Sequence, residues 1–99
     1  MTQFSEETRA KIVELCKRHS IRQLSLFGSR ARGDNRPDSD YDFLIDFDPD
    51  ARVSLFEYGR AIVEFEDLMG LKVDLVERAG LKPFVRGPVL AEAQLIYEA

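Results

Sequence analysis

The chain has 99 residues, 44% of them hydrophobic, with 14 basic and 18 acidic side chains and a net charge of −4. That length makes one domain with one modest core, and the acidic balance excludes tight nonspecific nucleic-acid binding, which needs a basic surface. No apolar run approaches the roughly 18 residues that span a bilayer, no basic-then-apolar leader is read at the N-terminus, and the lone Cys16 excludes an internal disulfide and fits a reducing cytoplasm.

Residues 5–19 read as a helix. Ser5 caps it, Glu6 and Glu7 suit the positive end of its dipole, and Ile12, Leu15, Cys16 and His19 form one stripe. His19, the single histidine, reads as a helix-end residue and not a catalyst, and Cys16 as an inert core thiol. Residues 22–27 read as a strand that runs into Gly28-Ser29, and residues 29–32 as one helical turn. Gly, Asn, Pro, Asp and Ser make residues 33–39 a loop.

Residues 41–47, Tyr-Asp-Phe-Leu-Ile-Asp-Phe, read as a second strand. Ser54-Leu55-Phe56-Glu57 is a capping-box pattern, and a helix is expected from there to about Met69, stopped by Gly70. Its expected apolar face is Leu55, Gly59, Ile62 and Met69 with Phe56 and Val63. Residues 72–77 alternate as a half-buried strand does. Gly87-Pro88 predicts the start of a last helix, with Val89, Leu90, Ala93, Ile96 and Tyr97 facing inward. The predicted order, helix–strand–strand–helix–strand–helix, is a small α/β sandwich with helices packed on a sheet.

The chemistry concentrates between residues 28 and 50. Asp34, Asp38, Asp40, Asp42, Asp46, Asp48 and Asp50 fall within 17 residues. Packed carboxylates repel one another, and a divalent cation relieves that repulsion. Asp40 and Asp42 share one strand face, about 6.6–7 Å apart at Cα, and such a pair converges on two metal ions. Magnesium suits an all-oxygen site that it shares with phosphates. Asp46 has the same parity but lies about 13 Å further on. Asp74 is the candidate third carboxylate, an acid amid the apolar Val73 and Leu75, able to ligate metal and to receive a hydroxyl proton. An exposed aspartate on the solvent side of the sheet is the other reading of Asp74.

Gly28 permits close backbone approach to a ligand, and the amide and hydroxyl of Ser29 are donors for distal phosphates. Arg30, Arg32 and Arg36 read either as neutralisers of triphosphate charge or as solvated loop residues. A P-loop is excluded because Asp34 stands where lysine is required. An EF-hand is excluded because Phe43 and Pro49 stand at its glycine and glutamate positions.

Gly28-Ser29, ten residues, then Asp40-x-Asp42 resembles the signature of the DNA polymerase β-type nucleotidyltransferase superfamily. The fuller strings, GSRARG and SDYDFLI, resemble its minimal (MNT) branch. The resemblance implies a small mixed β-sheet with helices packed on it, as one domain over residues 1–99. It implies two magnesium ions on Asp40, Asp42 and Asp74, which are also the catalytic residues. It implies nucleotide binding by Gly28, Ser29, Arg30 and Ser39. A hydroxyl attacks the α-phosphate of ATP and pyrophosphate leaves, without a covalent enzyme intermediate. The family further implies an antitoxin paired with a HEPN-domain ribonuclease toxin, to whose tyrosine AMP is transferred. Two rivals are an antitoxin that acts by stoichiometric binding alone and a nucleotidyltransferase for a small-molecule acceptor. The intact Asp40/Asp42 pair favours the enzyme, and the lack of an acceptor-binding domain disfavours the small-molecule route. The oligomeric state, homo- or hetero-oligomeric, stays open, and no membrane partner is expected.

Overall fold

The computed structural model describes residues 4–99. Helix α1 spans Glu6–Arg18, and the Ser5 hydroxyl accepts from the Thr8 amide at 3.1 Å. Strand β1 (Ile21–Phe27) leads into the four-residue helix α2 (Ser29–Arg32), and β2 runs Tyr41–Phe47. Helix α3 (Leu55–Met69) begins with the expected capping box: Ser54 Oγ accepts from the Glu57 amide at 3.1 Å, and Glu57 accepts from the Ser54 amide at 3.3 Å. Gly70, at φ 72°, ends it. Strand β3 (Val73–Glu77), a 3-10 turn (Arg78–Gly80), helix α4 (Pro83–Glu92) and strand β4 (Gln94–Glu98) complete the chain.

The sheet order is β3-β2-β1-β4. β1 is antiparallel to both β2 and β4, and β2 is parallel to β3 across the α3 crossover. The sheet is therefore mixed. One face carries Ile21, Leu24, Leu26, Phe43, Ile45, Val73 and Leu75 into the core, where α1 supplies Ile12, Leu15 and Cys16 and α3 supplies Ala61 and Phe65. The Phe43 and Phe65 rings sit 5.7 Å apart at their centroids. Burial pushes the Cys16 thiol up to about 12, so it stays protonated and unreactive.

Two sequence expectations are corrected. First, no helix starts at Gly87-Pro88. Pro83 opens α4, Pro88 lies inside it, and the chain leaves the helix at Ala93. Ile96 and Tyr97, expected on a helix face, lie in β4. An apolar run this short fits either period, and the free edge of β1 decides it by offering a ladder that residues 94–98 complete. Second, α3 turns only part of its expected face inward: Ile62 and Met69 pack on the core as expected, and Leu55, Phe56 and Val63 do not. Ala61 and Phe65 are buried, with Tyr58, Ile62, Leu68 and Met69 packed beside them, whereas Leu55, Phe56 and Val63 are 89%, 74% and 55% exposed. The helix carries two apolar stripes, and the one that seats Phe65 on Phe43 wins.

The β3 edge is blunted. The Tyr58 hydroxyl donates to the Leu75 carbonyl, and the Val73 amide donates to Glu66 at 3.2 Å. Among the described residues no helix is long and apolar enough to cross a membrane.

Candidate active site

The site forms where β1, β2 and β3 meet at one end of the sheet. The antiparallel register sets Phe27 opposite Asp42, so Gly28 emerges from β1 beside that aspartate. The parallel register sets Asp74 directly beside Asp42. Neighbours in register share a face, so the two carboxylates lie on the same side of the sheet. The core face holds Phe43, Val73 and Leu75, which leaves Asp42 and Asp74 on the other.

Burial pushes the Asp42 carboxyl above the usual carboxylate range, and the charges of Asp74 and Asp40 push it further, as does hydrogen bonding to Asp74. All three acids therefore act on one small region. Among the described residues no three acidic, histidine or cysteine side chains are already closed around a metal position. The donor set is nonetheless suited to magnesium. It is all carboxylate oxygen, and it carries a mutual repulsion that a divalent cation relieves. Asp46 is committed elsewhere, with its Oδ2 3.3 Å from Nε of Arg78.

Gly28 has φ 77° and ψ −158°, a region essentially reserved for glycine. A Cβ there would lie 2.2 Å from Oδ2 of Asp42, so the turn and the carboxylate are fitted to each other with no room between. Ser29 begins α2, and Gly33 ends it at φ 82°.

Arg30 is buried. Its guanidinium donates to the Ser39 carbonyl at 2.9 and 3.1 Å and to the Pro37 carbonyl at 3.1 Å, and it lies 4.0 Å over the Tyr41 ring. Ser39 Oγ accepts from the Arg36 amide at 2.8 Å. These contacts brace the loop that delivers Asp40 to the head of β2. Arg32 meets Asp34 at 3.2 Å and Glu92 at 3.2 and 3.3 Å. A cavity of about 320 Å³, lined by His19, Phe47, Arg52, Glu57 and Arg60 among others, opens at the far end of β2, away from the aspartates.

The model of the nucleotidyltransferase domain family matches residues 9–96. The chain belongs to the nucleotidyltransferase domain family. It is a nucleotidyltransferase, and its relatives carry names that agree. The protein adenylyltransferase MntA of Thermococcus cleftensis is 39% identical over 79 residues, covering 80% of this chain and 78% of that one. A Methanocaldococcus jannaschii protein assigned as a protein adenylyltransferase is 33% identical over 100 residues, covering 92% and 98%. A solved structure described as a minimal nucleotidyltransferase superposes with TM-score 0.73 at 37% identity, covering 94% of this chain and 97% of that one. A toxin–antitoxin crystal structure with AMP-PNP gives TM-score 0.75 at 17% identity, covering 92% and 73%, a likeness of fold.

The nucleotidyltransferase keeps one polar connection that reading along the chain misses. Glu92 accepts from the Gly28 amide at 2.5 Å, and Gln94 donates to the Ala31 carbonyl at 2.9 Å. These partners are 64 and 63 positions apart, so no local pattern marks them.

Proposed function

We propose that this nucleotidyltransferase moves AMP from ATP to a tyrosine hydroxyl of a HEPN-domain ribonuclease toxin and so neutralises it. The juxtaposition of Gly28, Asp42 and Asp74 carries this reading: a glycine turn fitted against one carboxylate, with a second carboxylate beside it in register. Binding alone requires no such cluster of repelling charges. The adenylyltransferase names of relatives that match most of the chain support the donor and the reaction. One solved structure with a chain of this fold is a complex of a tri-AMPylated Shewanella oneidensis HEPN toxin with MNT antitoxin, which supports the partner.

Asp40, Asp42 and Asp74 would hold magnesium, which when bound supplies positive charge for the phosphates and relieves the carboxylates. Gly28 and Ser29 receive the triphosphate, Ser29 by its hydroxyl. Arg30 and Ser39 serve the nucleotide through the loop they brace. The acceptor oxygen forms a bond to the α-phosphorus while the bond to pyrophosphate breaks, and the hydroxyl proton passes to the carboxylate of Asp74. Asp74 is exposed, so an acceptor on another chain can reach it. The exposed Leu55 and Phe56 give that chain an apolar strip to cover. The place of work is the cytoplasm.

The test is transfer of label from α-labelled ATP, with magnesium, to the protein encoded beside this one. Label on a tyrosine of that partner is expected, and Asp42→Asn abolishes it without unfolding the chain. Full neutralisation of the toxin by Asp42→Asn would favour stoichiometric binding instead.

A further inference from the structure

We propose that Glu92 is a positioning residue for the nucleotide-binding turn, acting from behind it. Its carboxylate accepts the Gly28 amide at 2.5 Å, while both of its oxygens lie within hydrogen-bond reach of Arg32, at 3.2 and 3.3 Å. Two residues on, Gln94 donates to the Ala31 carbonyl at 2.9 Å. The α4–β4 junction thus grips α2 at its entry, middle and end.

Such a grip answers a specific need. A four-residue helix has no stability of its own, because helix nucleation is unfavourable. Gly28 is free to take many backbone conformations, so it stays in this one only if its surroundings hold it. Asp42 borders the turn on one side, where a Cβ would clash, and Glu92 takes its amide. The position of the junction comes from β4, whose pairing with β1 sets Gln94 opposite Leu26. A carboxylate near a triphosphate site would repel the ligand. Arg32, which also meets Asp34, offsets part of that charge and fixes the carboxylate as an acceptor for the turn.

The assignment rests on the reading of this turn as a nucleotide site. Calorimetric titration of magnesium-ATP into the unchanged chain, Glu92→Ala and Glu92→Gln tests it, together with amide hydrogen exchange over residues 28–33. In Glu92→Ala the affinity is expected to fall about tenfold or more, the size typical of losing an outer partner of a binding group. Exchange at residues 28–33 rises, and α1 and α3 keep their protection. Glu92→Gln keeps an oxygen for the Gly28 amide and stays within about threefold, because one neutral hydrogen bond replaces a charged one. Equal or tighter binding by Glu92→Ala would overturn the proposal, the latter marking Glu92 as an occupant that phosphates must displace. Failure of the unchanged chain to take up magnesium-ATP would instead defeat the nucleotide reading. Exchange over residues 28–33 decides the grip in either case, and unaltered exchange in Glu92→Ala would overturn it.

Discussion

Gly28 and Asp42 are fitted so closely that no side chain can stand between them: a Cβ on residue 28 would meet Oδ2 of Asp42 at 2.2 Å. Two requirements converge on this glycine. Its backbone lies in a region that side chains avoid, and its open flank is filled by the carboxylate.

Gly28→Ala is therefore expected to damage the site beyond its effect on the fold. The backbone conformation alone costs about 1–3 kcal/mol for a residue with a Cβ. Asp42 must also rotate away and leave Asp74. Transfer is expected to fall by at least about a hundredfold, the usual penalty for misplacing a reacting group by an ångström. Activity within threefold of the unchanged chain would refute the packing account. Gly59→Ala is the control, since a Cβ there meets nothing within 4 Å.

Magnesium and Asp42→Asn are expected to act through the same repulsion. Asp42 is crowded by the charges of Asp74 and Asp40. Removing its charge without changing its shape relieves on the order of 1 kcal/mol after solvent screening. In chelator, Asp42→Asn should melt a few degrees above the unchanged chain, since 1 kcal/mol moves a domain of this size by about 4–8 °C. Added magnesium should raise the melting temperature of the unchanged chain and leave that of Asp42→Asn nearly still. A drop in melting temperature in chelator would show that Asp42 is stabilising, against the crowding described.

How far the site can be read along the chain follows from the range of each contact. Asp40 and Asp42 announce themselves because two-residue spacing on a strand is local. Asp74 is only half legible, because an acid between Val73 and Leu75 fits the alternation of a half-buried strand as well as it fits a site, and it is the β2–β3 register that sets it beside Asp42. The arginines are harder. Arg30 and Arg32 look alike in the sequence, yet one is buried against loop carbonyls and an aromatic ring and the other joins two carboxylates. The C-terminal strand is hidden for another reason. Its apolar residues fit a helical stripe equally well, and only the vacant edge of β1 chooses between them. Helix α3 shows the same ambiguity between its two stripes.

The α1–α3 contact gives a pH prediction. Glu64 accepts from His19 and from Arg18, each at 2.9 Å, and these two, His19 first, hold its carboxyl below the ordinary value of 4.5. A carboxyl lowered by folding contributes stability that is fully present above its unfolded value and is lost as pH falls through its folded value. Glu64→Gln should therefore melt lower than the unchanged chain at pH 7, by at most a few degrees because the group is partly exposed. The gap should hold down to about pH 4.5 and close below it. A gap that stays constant to pH 3 would show that charge plays no part in this contact.

The apolar strip on α3 separates docking from chemistry. Leu55 and Phe56 are 89% and 74% exposed at the start of the helix, where they hold nothing in the core. Substituting both with serine should change stability by no more than about 0.5 kcal/mol, as for surface positions in general. Magnesium-ATP affinity should be unaltered, because these residues contact none of the aspartates or the turn. If the partner covers this strip, the double variant binds it at least about tenfold more weakly, since buried aromatic anchors dominate interfaces. Label transfer then falls at low partner concentration and recovers as the partner is raised. Asp42→Asn should do the reverse, keeping the partner bound and losing transfer at every concentration. A double variant that binds the partner normally would move the docking surface elsewhere, to the exposed Phe84 of α4 as the next candidate.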